Sequence, residues 1–297
     1  MIKSTAVTLP LVGSVLHLTD FSPASERAFA HALAIALLRQ TDFTILHVSP
    51  KKESDIEWTR FPAVRATLQR WGLLEAGSPQ SAVFDEFQVR VKKVTVRSRH
   101  PVLTAARFLD RETSDLIVLA TEGREGPSRW IKRSSAEAMA RWSRTMTLFV
   151  PAKAKRGFVS PADGELTLKN ILVPVDRKPD CAAALEHARR AAEILGDGDA
   201  TITLLHVGDS RSPVSAPDDG PRWTWQAERR QGEPVAEILS AADKHIADLI
   251  VMATDGPDGV LDALRGSTTE QVLRQAPCPL LAVPAALFPG QRPVSRE

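Results

Sequence analysis

Val15-Leu16-His17-Leu18-Thr19-Asp20 and Ile171-Leu172-Val173-Pro174-Val175-Asp176 are one phrase written twice in a chain of 297 residues. Each is an apolar run of strand type that ends in Asp, with a Pro within three positions (Pro23, Pro179). An Ala-rich stretch follows each time, Ala28–Leu38 and Ala182–Leu195. The second of these carries apolar residues at helical spacing and stops at Gly196, a residue suited to ending a helix. A further strand then appears twice, Thr44-Ile45-Leu46-His47-Val48 and Thr203-Leu204-Leu205-His206-Val207. Farther on, Pro101-Val102 answers to Pro234-Val235, and Asp115-Leu116-Ile117-Val118-Leu119-Ala120-Thr121 to Asp248-Leu249-Ile250-Val251-Met252-Ala253-Thr254. Each copy closes on a strand before Pro, Leu148-Phe149-Val150-Pro151 and Leu280-Leu281-Ala282-Val283-Pro284.

Strands that alternate with helices of ten to fifteen residues form right-handed βαβ units and a parallel sheet. These strands are continuous apolar runs, as expected when helices cover both faces of the sheet. The fold class is therefore α/β, with two tandem doubly wound, Rossmann-like domains. The expected boundaries are 1–152 and 169–285, joined by a polar, Gly- and Pro-punctuated linker over 153–168 and followed by a tail over 286–297. The copies are offset by 159 at His47/His206 but by 133 at Pro101/Pro234, so the first holds 26 more residues after its second strand. That insertion, about 51–88, contains Trp58 and Trp71 and reads as an added helix. The closing strands would leave apolar sheet edges, which are expected to pair with one another.

Composition narrows the classes of function. With 43% hydrophobic and 25% charged residues the chain reads as globular, so collagenous and low-complexity classes are excluded. No apolar run reaches the roughly 18 residues a membrane span needs. The N-terminus lacks the pattern of a secretory signal, and a cytoplasmic location is expected. Cys181 and Cys278 form no C-x-x-C, which argues against a zinc ribbon or a disulfide scaffold. The formal charge of +2 divides into +6 over residues 1–150 and −4 over 151–297. The arginines of the first half are scattered through helical stretches, so a nucleic-acid partner is not expected.

Ligands of open parallel sheets collect outside the carboxyl ends of the strands, where the strand order reverses. Asp20, Val48 and Thr121 lie at such ends in the first half, and Asp176, Val207 and Thr254 in the second. Beyond Thr254 the sequence reaches Gly266-Ser267-Thr268-Thr269 and then a helix beginning near Glu270. Gly, Ser and Thr at a helix start present free N–H groups and hydroxyls to an anion such as phosphate.

At these residues the chain resembles the universal stress protein family in its tandem, two-domain form. The family's phosphate loop is Gly-x2-Gly-x9-Gly-Ser/Thr; the second half has Ala253-x2-Gly256-x9-Gly266-Ser267, with Thr268 next. The resemblance implies ATP or a related adenine nucleotide, alone or with magnesium. Asp176 would contact the ribose or the adenine edge, Pro174, Val175, Val207 and Met252 would wall the base, and Gly256, Gly266, Ser267 and Thr268 would hold the phosphates. Ala253 adds a methyl where the family brings backbone close to its ligand. The first half, Ala120-x2-Gly123-x9-Arg133-Ser134, keeps one glycine of three, and Trp130 and Trp142 flank its loop as candidate fillers of an empty pocket. The resemblance also implies that the closing strands pair about a two-fold axis inside the chain, an intrachain pseudo-dimer, with a further homodimer optional.

Other constellations carry less. No H-x-x-x-H or H-E-x-x-H pair occurs among the seven histidines, so no metal site is expected. His47 and His206 share a repeat position that strand-end packing explains as well as ligation would, Cys278 reads as a buried small residue, and Glu186-His187 as part of a mostly exposed helix face. No general base or acidic metal pair points to turnover, and slow ATP hydrolysis is the most that is expected. The expectation is thus a stress-response protein with an adenine nucleotide in its second half. The alternatives are a scaffold acting through protein contacts without nucleotide, and a nucleotide-processing enzyme of a related α/β superfamily.

Overall fold

The strand phrases of both copies lie side by side in one ten-stranded sheet, as seen in a computed structural model that describes residues 12–51, 58–99, 101–112, 114–121, 145–208, 215–254 and 268–285. The first half contributes β1 (Ser14–Thr19), β2 (Asp42–Ser49), β3 (Val91–Arg97), β4 (Leu116–Thr121) and β5 (Met146–Pro151). The second contributes β6 (Leu168–Pro174), β7 (Gly196–Val207), β8 (Trp223–Arg230), β9 (Leu249–Thr254) and β10 (Leu280–Pro284). The order is β3-β2-β1-β4-β5-β10-β9-β6-β7-β8, so the second half repeats the first in reverse. Every neighbouring pair is parallel except β5 and β10, which run antiparallel with Leu280 opposite Phe149, Leu281 opposite Leu148 and Ala282 opposite Thr147. The two apolar closing strands therefore cover one another, and the intrachain pseudo-dimer is a continuous sheet with antiparallel strands at its centre.

The helices sit where the connections demand. On one face lie α1 (Pro23–Arg39) and α5 (Ala182–Leu195); on the other lie α4 (Pro101–Arg111), α6 (Pro234–Lys244) and α7 (Thr268–Leu273). Ser22 caps α1 by accepting from the Ser25 N–H, and Pro23 occupies its first turn. Residues 28–36 of α1 are all buried, because its run of alanines lets the helix lie close on the strands. Helix α5 buries one face, Ala183, Ala184, His187, Ala188, Ala191, Ala192 and Leu195, recurring at helical spacing. It ends at Leu195 as expected, but Gly196 is extended (φ −71°) and starts β7 at once. Its lack of a side chain serves close approach, since a Cβ there would lie 2.3 Å from the Ala192 carbonyl oxygen.

Two edge strands, β3 and β8, escape the reading of apolar runs because they are half-exposed and charged (VKKVTVR and WTWQAERR). Charged side chains on a sheet edge oppose unwanted pairing with another chain. Residues 58–87 carry a short turn of 3-10 helix at Trp58–Arg60, α2 (Val64–Arg70) and α3 (Ala82–Phe87). The connection after β5 is tied down along its length. Arg156 donates to the carbonyls of Ala242 and Ala247 and to the Asp243 carboxylate at the end of α6, and its own N–H donates to the Pro277 carbonyl. Phe158 is buried edge-on against His31, and the Trp71 indole N–H donates to the Pro161 carbonyl. Gly164, at φ +77°, lies beneath the Trp71 ring, where a Cβ would come within 2.5 Å of it.

Candidate functional site

In the second half the reversal of strand order falls between β6 and β9, with β7 on the far side of β6. Pro174 ends β6, Val207 ends β7, and Met252 and Ala253 lie at the end of β9, so one carboxyl rim gathers them. Val175 is buried and both its backbone groups are used: its N–H donates to the Leu205 carbonyl (2.9 Å), and its carbonyl accepts from His206 Nδ1 (3.2 Å). The next residue, Asp176, is exposed, and its Oδ1 accepts from the Arg177 N–H at 2.7 Å. Met252 and Ala253 are 5% and 9% exposed and pack into the cores on opposite faces of the sheet, so the strand end beneath the rim is apolar, and the Asp176 carboxylate stands exposed above it.

The structure thus brings together Pro174, Val175, Asp176, Val207, Met252 and Ala253. Thr268 is the first residue of α7, two positions earlier than the expected helix start, and is exposed. Gly256, Gly266 and Ser267 lie outside the described residues, as do Gly123, Trp130, Arg133, Ser134 and Trp142 of the first half.

The first rim is built on the same plan and then altered. His47 Nδ1 donates to the Thr19 carbonyl at 2.9 Å, the bond His206 makes to Val175. Asp20, like Asp176, accepts a local backbone bond on Oδ1, from the Ser22 N–H at 2.9 Å, but is half-buried where Asp176 is exposed. Beneath it lies a buried polar group that the second half lacks. Ser25 Oγ donates to Thr19 Oγ1 (3.0 Å) and stands 3.4 Å from His17 Nε2, while His17 Nδ1 donates to the Val118 carbonyl. Val173, Val175 and Cys181 hold the equivalent places in the second copy. Burial pushes His17 down to about 4, so its ring is neutral. Burial also lowers His47, against the opposing pull of the Thr19 carbonyl and Asp20.

Above these groups sits an aromatic cluster that sequence reading did not find. Phe21 stacks on His47 with ring centres 4.0 Å apart and planes 9° from parallel. Trp58 meets Phe21 edge-on at 5.2 Å, and Phe61 lies 5.5 Å from Phe21 and 5.7 Å from His17. The one signal for it was Phe21 itself, directly after the strand-end Asp, where the second copy has Arg177.

Two expectations outside the rims are tested by the structure. Cys278 is fully buried and its thiol is pushed up to about 12 by desolvation, so it is a packing residue rather than a nucleophile. His187, expected on an exposed helix face, is instead 6% exposed, because α5 turns that side toward the seam with the first half. Among the described residues, no three His, Cys, Asp or Glu side chains gather to hold a metal ion, and no helix is long and apolar enough to cross a membrane.

The profile of the universal stress protein family matches residues 13–151, 167–224 and 224–284. A universal stress protein of Methanocaldococcus jannaschii is 30% identical over 150 residues, 41% of this chain and 85% of that one. One from Thermus aquaticus is 47% identical over 53 residues, 18% of this chain and 39% of that one. Among solved structures, a universal stress protein from Archaeoglobus fulgidus superimposes with a TM-score of 0.58 at 16% identity, over 92% of this chain and 96% of that one. A putative universal stress protein from Pseudomonas aeruginosa gives 0.60 at 16% identity, over 92% and 93%. At that identity the structural likeness speaks for the fold alone, and the sequence match speaks for descent. With its repeated strand-end Asp, its paired histidines and its palindromic sheet, the chain belongs to the universal stress protein family.

Proposed function

We propose that the protein takes ATP or a related adenine nucleotide at the rim of its second half, alone or with magnesium carried on the phosphates. The observation that carries this reading is the contrast between two rims built on one plan. At the second, an apolar floor (Val175, Met252, Ala253) meets an exposed carboxylate (Asp176); at the first, aromatic side chains stand in the same place. An apolar floor suits the faces of a purine, and a carboxylate at the lip suits a ribose diol or an exocyclic amine. Pro174, Val175, Val207 and Met252 would wall the base, Asp176 would accept hydrogen bonds from the sugar or base edge, and Ala253 would set how closely the backbone approaches. Gly256, Gly266, Ser267 and Thr268 would hold the phosphates. The role proposed is that of a nucleotide-responsive stress protein; among the described residues of the rim none is placed as a general base.

Equilibrium dialysis of the purified chain against labelled ATP tests this directly. Saturable binding that disappears in Gly266→Asp, with the fold intact by circular dichroism, is the expected result. Absence of binding at millimolar ATP overturns the proposal. The second reading, a scaffold that works through protein contacts, then gains the ground.

A further inference from the structure

Aromatic side chains crowd the first rim. Phe21 lies face to face with His47, the residue whose repeat partner, His206, bonds the Val175 carbonyl at the second rim. To reach that position Phe21 adopts φ 63°, a left-handed backbone that a residue with a bulky side chain rarely holds. Phe61, 3% exposed, reaches from Phe21 down to Phe29 (5.1 Å) and His17 (5.7 Å). Trp58 closes the outside, edge-on to Phe21 and 6.3 Å from His47, with Lys93 Nζ 5.2 Å above its ring.

Trp58 and Phe61 are available because β2 ends at Ser49 and β3 begins only at Val91; in the second half β7 ends at Val207 and β8 begins at Trp223. Below them His17, Thr19 and Ser25 are bonded to one another and to backbone, so these three side chains are already partnered. In Phe21's place the second half has Arg177, exposed to solvent.

We propose that Phe21, Trp58 and Phe61 form a resident occupant of the first crevice, a built-in substitute for a planar heteroaromatic ligand. The first half then keeps its shape with no nucleotide, and the chain takes one such ligand instead of two. The count of one rests on the reading of the second rim given above; the occupied state of the first rim does not.

Two measurements separate these claims. Proton NMR reads the seat of Phe21 through the ring current it imposes on His47. The wild-type His47 ring signals are expected upfield and unmoved by saturating ATP, and Phe21→Leu is expected to return them toward ordinary positions with the fold retained. Dialysis is expected to give one ATP per chain, both in wild type and in Phe21→Leu. Two ATP per wild-type chain, or ATP-induced movement of the wild-type His47 signals, overturns the resident occupant while leaving the second site standing. Ordinary His47 positions in the wild type overturn it as well. No bound ATP overturns the nucleotide reading alone, and the upfield signals, with their loss in Phe21→Leu, then establish the occupant by themselves.

Discussion

His31 on α1 and His187 on α5 are symmetry mates across the seam of the two halves, and each donates from Nδ1 to the carbonyl four residues earlier in its own helix. The distances are 2.8 Å to Arg27 and 2.7 Å to Ala183. Both rings are buried and both are lowered by desolvation, His31 to about 4, with Arg27 and Arg190 respectively adding to the effect. The fold thus holds neutral imidazoles at equivalent points beside its central strands.

Acid sensitivity follows from that pair and from His17. In the unfolded chain each histidine titrates near the ordinary imidazole value of 6.5, while burial brings His17 and His31 down to about 4 in the fold. Above pH 6.5 both states are neutral and nothing is lost. As pH falls from 6.5 toward 4 the unfolded state gains protons that the fold refuses, at a cost of up to about 3 kcal/mol per residue. Urea denaturation at pH 7 and pH 4.5 is expected to show a fall in stability that becomes about 2 kcal/mol smaller in His31→Leu. An unchanged difference between the two pH values would count against buried neutral His31.

Arg156 should be the residue of the connecting segment whose loss is felt most. Its guanidinium ends α6 by satisfying two carbonyls and pairing with Asp243, and it is only 20% exposed. Arg156→Ala is expected to destabilise the chain by about 1–3 kcal/mol in denaturant titration. Arg156→Lys should recover only part, since a single ammonium cannot reproduce the fork.

Phe149 lies at the middle of the sheet, buried and opposite Leu280. Phe149→Ala is expected to cost about 3–5 kcal/mol. Limited proteolysis should cut the connection over 152–167 sooner in that variant than in wild type. A variant that resists protease like the parent would mean the halves cohere without this strand pair.

Between α1 and α5, over β5 and β10, lies a cavity of about 50 Å3 lined among others by Ile35, Leu148, Phe158, Ala191 and Leu281. Ala191→Met places an adaptable side chain there from a helix that tolerates it. A gain of about 0.5–1 kcal/mol is expected in thermal unfolding.

Ala253 is the point at which the second rim departs from the family's loop. Ala253→Gly removes the methyl and is expected to tighten ATP binding about fivefold, equivalent to about 1 kcal/mol. Asp176→Ala should weaken it by about tenfold, the loss of one charge-assisted hydrogen bond. Isothermal titration of the two variants checks both directions.

Much of this architecture was legible in the residues alone. Apolar runs ending in Asp, repeated with the same flanking Pro and the same His-Val strand, require two parallel βαβ units, because only strands covered on both faces are apolar throughout. The bare closing runs around Phe149 and Leu281 had to find a partner, and each found the other. Strands β3 and β8 were not legible, since edge strands with charged residues lack that apolar signature. The second rim was readable as a set of strand ends, because strand topology alone carries Pro174, Val207 and Met252 to one side of the sheet.

The tertiary structure alone decided what each rim contains. Nothing in the local sequence around Phe21 or Trp58 says that the two rings meet, because they stand on separate connections and are joined only when β1 and β2 pair. His187 was likewise indeterminate until α5 was set against the seam, since helical spacing ranks faces by hydrophobicity but cannot name the neighbour that covers them. Periodicity is a property of the chain and survives in the sequence. Occupancy is a property of distances between segments far apart in the chain, and it comes into being only with the fold.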